Sequence, residues 1–452
     1  MYHMKTECGV LGYFSKNNMS DSGFKFLLKN LQHRGQDSCG IAWYENNEIK
    51  CQKKVGHVKN LIEEPLDIIK NIFIGHTRYI TANKNINKLE SAHPILSKFK
   101  STQFAFVYNG NIPNTENDIE YILNYFKTNM DKSFESCLVN FIKLNKRAFN
   151  IIFLYNNKFY IIRDRYGTRP LSILIDDNLA IVSSETCIAG NDYNFKSIDA
   201  GTLTIVQFID DKLDVETRNV IESSNLAKCL FEYIYFMDKR SMQNDITIAE
   251  YRILLGKLIA VQERESDCVA LSKCDKNNVI VCGIPNSAIE YGKGYADCMK
   301  FNYNQFITKN TKILRTFIGD SQEKREYDSN AKYIFNTPMI KGKDIVIVDD
   351  SIVRGITIRN IINRLKSYNP NSIHIRVGCP PIINTCNLGV DIPNINDLVR
   401  NHHLDVESLQ KEYDVESLIY LNLEKINKIL PLQSFCTGCM DGNYSNDKIL
   451  DW

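Results

Sequence analysis

The second half of the chain holds the stretch that decides its fold, KDIVIVDDSIVRGITIRNIINRLKSY (343–368). Four consecutive apolar residues with high β-propensity, 345–348, predict a buried strand, which ends in Asp349 and Asp350. A turn follows, and the residues after it are apolar at helical spacing: Ile358, Ile361, Ile362 and Leu365. A fully apolar strand that leads into an amphipathic helix is typical of a parallel sheet covered by helices.

The same order of elements recurs on either side of this stretch. A strand, a turn and a helix are predicted in NNVIVCGIPNSAIEYGKGYA (277–296), and a further apolar strand in SIHIRVGCPP (372–381). Strands and helices that alternate in this way predict a doubly wound α/β domain.

The first half of the chain has a different pattern. Strand-like runs lie in pairs across tight polar turns, as in AFNIIFLYNNKFYIIRDRYG (148–167), LSILIDDNLAIVSS (171–184) and GTLTIVQFIDDKLDV (201–215). Such pairs predict β-hairpins. Helical spacing is found at 23–33 and 133–146, so the prediction is an α+β layered domain that ends near residues 220–230.

Composition excludes several classes of protein. A chain of 452 residues is expected to form two or three domains, and the net charge of +2 gives no attraction to nucleic acid. No apolar run is long enough to span a bilayer, and Met1 to Glu7 lack the apolar stretch of a secretory signal. We therefore expect a cytoplasmic protein without membrane or nucleic-acid partners.

The acidic pair at the end of the 345–348 strand is the first candidate site. Ligands of open α/β sheets bind at the carboxyl ends of the strands, where a loop that opens a helix presents N–H groups to phosphate. Asp349 and Asp350 suit a ribose diol or a magnesium-bound diphosphate, because hard cations prefer oxygen ligands. The alternative is an acidic strand end followed by a solvated turn.

IVIVDDSIVRGIT (345–357) resembles the motif with which type I phosphoribosyltransferases bind phosphoribosyl diphosphate (PRPP). The resemblance implies that Asp349 and Asp350 contact the ribose hydroxyls and Mg²⁺. It assigns the 5′-phosphate to the following loop, whose residues are Ser351, Ile352, Val353, Arg354, Gly355 and Thr357. GIPNSA (283–288) resembles the diphosphate-side loop of that family, which would bring Ser287 close to the metal.

Six short strings in the first half occur in the order found in the glutaminase domain of N-terminal-nucleophile amidotransferases. They are LQHRGQDSCGIA (31–42), GHTRY (75–79), AHP (92–94), YNGNI (108–112), RDRYGTRPL (163–171) and SSET (183–186). The resemblance makes Cys8 the nucleophile and implies an αββα glutaminase fold. It assigns the oxyanion donors to Asn109 and Gly110, the substrate carboxylate to Arg78, and the substrate α-amino group to Asp131.

In this mechanism the thiolate attacks the glutamine amide, and the α-amino group of the same cysteine serves as the base. An α-amino group with an ordinary pKa near ~8 is suited to that task. Cys8 is preceded by seven encoded residues, so the mechanism requires removal of the segment Met1 to Glu7 as a propeptide.

Fourteen cysteines are too many to leave without explanation in a reducing compartment. Several are predicted to be small core residues: Cys39, Cys137, Cys187, Cys268, Cys282 and Cys298. Cys436 and Cys439 form a C-x-x-C, and Cys229 and Cys386 match further family positions. Four thiolates satisfy a [4Fe–4S] cluster or structural zinc, and the association with a propeptide in the family favours iron.

Because both resemblances occur in one chain, it is identified as a member of the glutamine PRPP amidotransferases. The resemblance implies a propeptide (1–7), a glutaminase domain (8–228) and a phosphoribosyltransferase domain (229–452) whose C-terminal tail binds the cluster. It also implies a homotetramer inhibited by purine nucleotides. FEYIYF (231–236) is a further signature of the family.

The sequence departs from the family pattern only on the PRPP side, at Asn286, Thr311, Lys312, Asn330 and Ile356. Loss of loop cations there would weaken diphosphate binding or closure over the substrate. The alternative reading is therefore a divergent homologue with weakened transfer that acts as a PRPP or nucleotide sensor or scaffold.

Overall fold

The structure is a computed structural model. It describes residues 8–45, 48–62, 70–79, 88–110, 117–190, 193–222, 226–266, 271–310, 332–386, 388–390, 392, 394–403 and 405–444. Several residues singled out in the sequence lie outside this description: the predicted propeptide 1–7, Cys268, Thr311, Lys312 and Asn330.

The described part of the first half contains thirteen strands and four helices. The strands are β1 (Gly9–Met19), β2 (Ser38–Glu45), β3 (Glu48–Val55), β4 (Lys70–Arg78), β5 (Ile95–Phe99), β6 (Thr102–Gly110), β7 (Phe149–Tyr155), β8 (Lys158–Arg163), β9 (Ser172–Asp176), β10 (Leu179–Ser183), β11 (Lys196–Ser197), β12 (Thr202–Ile209) and β13 (Lys212–Asn219). The helices are α1 (Asp21–Asn30), α2 (Val58–Ile62), α3 (Asp118–Thr128) and α4 (Phe134–Leu144).

These strands form two antiparallel sheets. One has seven strands in the order β11-β9-β10-β1-β4-β2-β3, and the other has six in the order β13-β12-β8-β7-β6-β5. The turns between paired strands use residues that tolerate the left-handed region, such as Asn156 and Asn157 with φ of 52° and 54°. The β7–β8, β9–β10 and β12–β13 hairpins are those predicted from the sequence.

The two sheets stack face to face between helices. Val10, Phe14, Ile152 and Val206 belong to the apolar core between the sheets. Helix α1 covers the outer face of the seven-stranded sheet, and α3 and α4 cover that of the six-stranded sheet. The layers confirm the predicted αββα arrangement.

The ends of two predicted helices differ from the structure by a few residues. Helix α1 begins at Asp21 because the Ser20 hydroxyl accepts a hydrogen bond from the Gly23 N–H, and α4 begins at Phe134 because Ser133 caps it in the same way. The caps lie outside the apolar periodicity, so that pattern did not indicate them.

The described part of the second half contains eleven strands and seven helices. The strands are β14 (Lys228–Cys229), β15 (Met242–Gln243), β16 (Ile246–Thr247), β17 (Val279–Gly283), β18 (Asn302–Tyr303), β19 (Ile307–Lys309), β20 (Tyr333–Phe335), β21 (Asp344–Asp349), β22 (Ser372–Val377), β23 (Ser417–Tyr420) and β24 (Phe435–Cys436). The helices are α5 (Ile248–Glu265), α6 (Ile289–Met299), α7 (Ile356–Lys366), α8 (Val399–His402), α9 (Val406–Tyr413), α10 (Leu423–Ile426) and α11 (Gly438–Asp441).

A five-stranded parallel sheet organises this half, in the order β18-β17-β21-β22-β23. Strand β21 lies at its centre and is buried along its whole length. The predicted α/β fold is thus confirmed, and Asp349 stands at the carboxyl end of the central strand. Among the described helices, none combines the length and apolar character needed to cross a membrane.

Candidate active sites

Cys8 lies directly before β1, at the edge of the seven-stranded sheet. Gly9 pairs with Thr77 of β4, so the ladder brings Cys8 opposite Arg78. A side chain at position 9 would come within 2.6 Å of the Thr77 hydroxyl, which explains the glycine there. The Cys8 thiol donates a weak hydrogen bond to the Tyr79 carbonyl, with a sulfur–oxygen distance of 3.7 Å.

Burial and neighbouring charges act on the Cys8 thiol in opposite directions. Burial raises its pKa, whereas the positive charges of Arg78, Arg169 and Arg34 lower it. Three guanidinium groups therefore act on one sulfur atom, and the pocket around Cys8 favours anionic groups.

Asn109 and Gly110, the two predicted oxyanion donors, are the last residues of β6. The Asn109 side chain is 2% exposed, and its Nδ2 has no hydrogen-bond partner among the described residues. A buried donor without a partner is costly, so such a group is suited to a ligand. His76 ties β4 to this strand, because its Nε2 lies 3.0 Å from the Tyr108 carbonyl oxygen.

Arg78 is held by neutral groups on one side. Its Nη1 lies 3.0 Å from Nδ1 of His93 and donates to the Ser91 carbonyl. Burial lowers the pKa of His93 well below the ordinary value, and that of His76 to about 3, so both rings are uncharged near neutral pH. The guanidinium charge of Arg78 is therefore not neutralised from this side.

Asp118, and not the predicted Asp131, is among the acidic residues whose charge acts on Arg78. Asp131 is exposed in the turn before α4, where its charge acts on Cys137. Asp118 opens α3, accepts a hydrogen bond from the Tyr108 hydroxyl at 3.1 Å, and contributes its charge to the environment of Arg78. No sequence motif indicated Asp118, because it lies in none of the recognised strings, and the role of Asp131 stays a prediction.

Arg34 connects Cys8 to the second half of the chain. Its side chain is 1% exposed, and its Nε donates to the Cys8 carbonyl at 3.2 Å. Its two terminal nitrogens donate to Glu185 at 2.5 Å and to Glu232 at 2.7 Å. Glu185 belongs to SSET and Glu232 to FEYIYF, so motifs from both halves meet behind Cys8.

A second site lies at the carboxyl end of β21. It is a cavity of about 150 Å³. Asp349, Asp350 and the whole loop 351–357 line one side. Further lining residues are Tyr235, Ser287, Lys309, Lys332 and Tyr333.

The two carboxyl groups of this cavity are buried beside each other. Burial and the charge of Asp350 raise the pKa of Asp349 well above its ordinary value, against the charge of Lys332. Burial also raises the pKa of Asp350, although hydrogen bonds from Ser287 and Ser351 lower it. Two adjacent buried carboxyl groups favour a bound cation or hydroxyl donors, and their oxygen atoms are the ligands that Mg²⁺ prefers.

The loop after β21 is shaped for close approach to its backbone. Gly355 has φ of 75° directly before α7, and a side chain on it would lie 2.3 Å from the Tyr413 hydroxyl. Val353 anchors the loop, since its carbonyl accepts from the Val399 N–H at 2.8 Å. Ile356 is 58% exposed, so this departure from the family pattern leaves the backbone at the start of α7 in place.

Two lysines on the opposite side of the cavity come from the β19–β20 hairpin. Lys309 pairs with Tyr333 in the ladder, beside Lys332. Burial lowers the pKa of both lysines, and the charge of Lys309 helps to lower that of Lys332 to about 8. A diphosphate is the kind of ligand that two crowded ammonium groups attract. Lys309 lies outside the recognised strings, so no sequence motif predicted a role for it.

The four predicted cluster cysteines belong to separate segments that neighbour one another. Cys229 and Cys436 are register partners in the parallel β14–β24 pair. The Cys439 carbonyl accepts from Ile383 N at 2.9 Å, which ties the segment that leads to Cys386 to the same place.

Burial raises the pKa of the Cys436 thiol to about 12, and the charge of Cys386 contributes to the increase. Burial likewise raises the pKa of Cys439 well above its ordinary value, with contributions from Cys386 and Cys436. Thiols that oppose one another's ionisation in this way fit a cationic centre, since a bound metal favours the thiolate form. Four thiolates are a donor set for iron–sulfur and zinc alike, but among the described residues no three of these sulfur atoms form a group within 4.8 Å of one another, as a single zinc ion would require.

Comparisons with known proteins cover nearly the whole chain. A profile of the phosphoribosyl transferase domain family matches residues 258–381. The amidophosphoribosyltransferase of Archaeoglobus fulgidus is 30% identical over 466 residues, which cover 97% of this chain and 97% of the relative. That of Methanocaldococcus jannaschii is 28% identical over 476 residues, which cover 97% of this chain and 98% of the relative.

Two solved structures are similar over the same length. The glutamine PRPP amidotransferase of B. subtilis, in complex with ADP and GMP, superposes with a TM-score of 0.84 at 27% identity and covers 97% of both chains. A structure described as the allosteric regulatory enzyme of purine biosynthesis superposes with a TM-score of 0.85 at 26% identity.

Proposed function

The chain belongs to the amidophosphoribosyltransferase family, and from this premise we propose which of its residues perform the two half-reactions. It is an enzyme, both glutamine amidotransferase and pentosyltransferase. It transfers ammonia from glutamine to PRPP and gives 5-phosphoribosylamine, diphosphate and glutamate in purine biosynthesis. The assignment of residues rests on one observation: the same chain contains both the Cys8 pocket and the Asp349–Asp350 cavity.

The glutaminase half-reaction begins at Cys8 once Met1 to Glu7 have been removed. Its α-amino group accepts the thiol proton, and the sulfur attacks the glutamine amide carbon. The same group returns a proton to the amide nitrogen, ammonia leaves as the carbon–nitrogen bond breaks, and water hydrolyses the remaining thioester to glutamate. Asn109 Nδ2 and the Gly110 N–H stabilise the oxyanion, and the unpaired state of the buried Nδ2 among the described residues supports this role. Arg78 binds the α-carboxylate of glutamine, supported by the neutral hydrogen bonds that leave its charge available.

The transferase half-reaction takes place in the cavity after β21. Asp349 and Asp350 bind the ribose hydroxyls and hold Mg²⁺ together with Ser287. The metal, when bound, stabilises negative charge on the leaving diphosphate. The loop 351–357 binds the 5′-phosphate through backbone N–H groups, with Arg354 at its edge, while Lys309 and Lys332 attract the diphosphate. Ammonia attacks the anomeric carbon, and diphosphate leaves from it.

Family membership also supports a proposal for the domain boundaries, the metal centre and the assembly of the chain. The glutaminase domain comprises 8–228 and the phosphoribosyltransferase domain 229–452, with the tail held by a [4Fe–4S] cluster on Cys229, Cys386, Cys436 and Cys439. We further propose a cytoplasmic homotetramer inhibited by purine nucleotides that compete for the PRPP cavity. The bound ADP and GMP of the B. subtilis relative support the last point.

The reaction itself is tested with purified protein in which the chain begins at Cys8. With PRPP and Mg²⁺, we expect release of diphosphate with glutamine as donor and also with ammonium, because the transferase cavity needs only ammonia. Diphosphate release and glutamate formation are measured together. Glutamine hydrolysis without transfer from either donor would contradict the proposal and favour the sensor reading.

The identity of the metal centre is tested by elemental analysis of protein purified without oxygen. We expect iron and acid-labile sulfide in equal amounts, with their loss in Cys436→Ser, because that substitution removes one of four thiolate ligands. Cys274→Ser is the matched control, since Cys274 is partly exposed and lies outside the cluster. If the wild-type protein contained zinc and no iron, the four cysteines would be ligands of a structural zinc ion and not of an iron–sulfur cluster.

A further inference from the structure

Glutamine carries two charges on its α-carbon, and the described residues around Cys8 provide an evident partner for only one of them. The α-carboxylate has Arg78. The α-ammonium group must enter a region where the charges of Arg34, Arg78 and Arg169 all act on the nucleophile. An ammonium group in such a region needs a carboxylate partner, because the ammonium and guanidinium groups are both positive and repel each other strongly where solvent is excluded.

Asp118 lies at the start of α3 beside Tyr108, and its charge acts on Arg78. Among the acidic side chains that act on Arg78, its charge has a larger effect than that of Asp37. The Tyr108 hydroxyl donates to Oδ2 of Asp118 at 3.1 Å and fixes the direction of the carboxylate. Tyr108 in turn lies within range of the charge of Cys8 and directly precedes the oxyanion donor Asn109.

The backbone around Asp118 is also fixed. Asn117 caps α3 by accepting hydrogen bonds from the N–H groups of Ile119 at 3.1 Å and Glu120 at 3.4 Å. Asp118 is therefore the first residue of a capped helix, and only its side-chain torsions remain to be set. Tyr108 constrains them, since burial keeps its phenol protonated by raising its pKa well above the ordinary value.

Two other carboxylates compete for this role. Asp37 also acts on the charge of Arg78, and its N–H donates to the Arg78 carbonyl at 3.0 Å, but its carboxylate forms an ion pair with Lys88 at 3.3 Å. Asp131, the residue expected from the sequence, is exposed before α4 and acts on Cys137.

We propose that Asp118 accepts the α-ammonium group of glutamine and so makes the glutaminase site selective for α-amino acids. The inference rests on the proposed function of Cys8, Asn109 and Arg78, and it replaces Asp131 by Asp118 in the role of ammonium acceptor. Asp118 is a specificity-determining residue, and it contacts no reacting atom.

The test compares glutamine with glutaramate, the same amide without the α-amino group, in protein whose chain begins at Cys8. Asp118→Asn is expected to lower kcat/KM for glutamine by about 10- to 100-fold, mainly through KM, and to leave kcat/KM for glutaramate within about twofold. Glu120→Gln, on the exposed face of the same helix, is the matched control and keeps the wild-type ratio between the two amides.

A second measurement does not depend on turnover. Modification of Cys8 by the diazoketone analogue of glutamine, diazo-oxo-norleucine, is followed by the mass of the N-terminal peptide, with iodoacetamide as the reagent that lacks an α-amino group. Asp118→Asn is expected to slow the first reagent by about 10-fold or more and to leave the second unchanged.

Three results would overturn the assignment: equal loss for both amides, equal slowing of both reagents, or the selective loss appearing in Asp131→Asn instead of Asp118→Asn. Each of these leaves the proposed function intact if ammonium-dependent transfer persists. Absence of transfer, with selective slowing of Cys8 labelling in Asp118→Asn, would instead retain Asp118 and reject the transferase.

Discussion

Cys8→Ala is expected to lower glutamine-dependent synthesis of phosphoribosylamine by a factor of about 10³ or more, and to leave the ammonium-dependent rate within about twofold. The thiol is the nucleophile of the glutaminase half-reaction, and none of the residues described around Cys8 is assigned a role that could replace it. The transferase cavity is lined by Asp349, Asp350 and the loop 351–357. It shares no residue with those assigned to the glutaminase pocket. Both rates are measured as diphosphate release under the same conditions.

The control for this variant is Cys51→Ala, a partly buried cysteine on β3 that lies in neither site. It should retain both rates. Retention of glutamine-dependent synthesis in Cys8→Ala would reject Cys8 as nucleophile, and a parallel loss of the ammonium-dependent rate would show that the substitution disturbs the whole chain.

The sequence allowed the fold of both halves to be predicted for a physical reason. In β21 every residue from Ile345 to Val348 is apolar because the strand is buried on both faces, as strands of a parallel sheet covered by helices are. The Asn156–Asn157 turn predicted its hairpin because few residues adopt positive φ at low cost. Strands and turns of this kind can be predicted from one sequence, because they depend on residues that are adjacent in the chain.

The sites could be predicted only in part, because their selectivity depends on contacts between distant segments. Arg34 lies 198 positions from Glu232, and no local pattern indicates that pair. Asp118 opens α3 and Asp131 precedes α4, so the two residues look alike in the sequence. The structure distinguishes them, since the Tyr108 hydroxyl donates to Asp118 whereas Asp131 is exposed.

The same limit applies to the PRPP cavity. Asp349 and Asp350 were found from the sequence because strand, acids and loop are contiguous. Lys309 faces them from the β19–β20 hairpin, and its approach depends on a ladder whose two strands are separated by more than twenty residues. A lysine that is so far from the acidic pair in sequence can be assigned to the cavity only from the structure.

Asp350→Asn is expected to lower PRPP transfer by about 10²-fold or more with either donor, because it removes a ligand for Mg²⁺ and a partner of the ribose hydroxyls. Glutamine hydrolysis at Cys8 should persist. The unliganded variant should be at least as stable as the wild type in denaturant unfolding, since the charge of Asp350 opposes ionisation of Asp349 and the substitution removes that repulsion. Gain of stability with loss of transfer is the pattern of a residue retained for binding and not for folding.

Asp344→Asn is the comparison variant. Asp344 is the first residue of β21, at the opposite end of the strand from the acidic pair. Its carboxylate is 8% exposed and accepts hydrogen bonds from Ser372 at 2.7 Å and Asn278 at 3.2 Å. Here the substitution replaces an accepting oxygen by a donor, so we expect a loss of about 1–2 kcal/mol in unfolding free energy and nearly full transfer activity. If Asp350→Asn instead lost stability and kept transfer, the acidic pair would be structural, and the PRPP site would have to lie elsewhere.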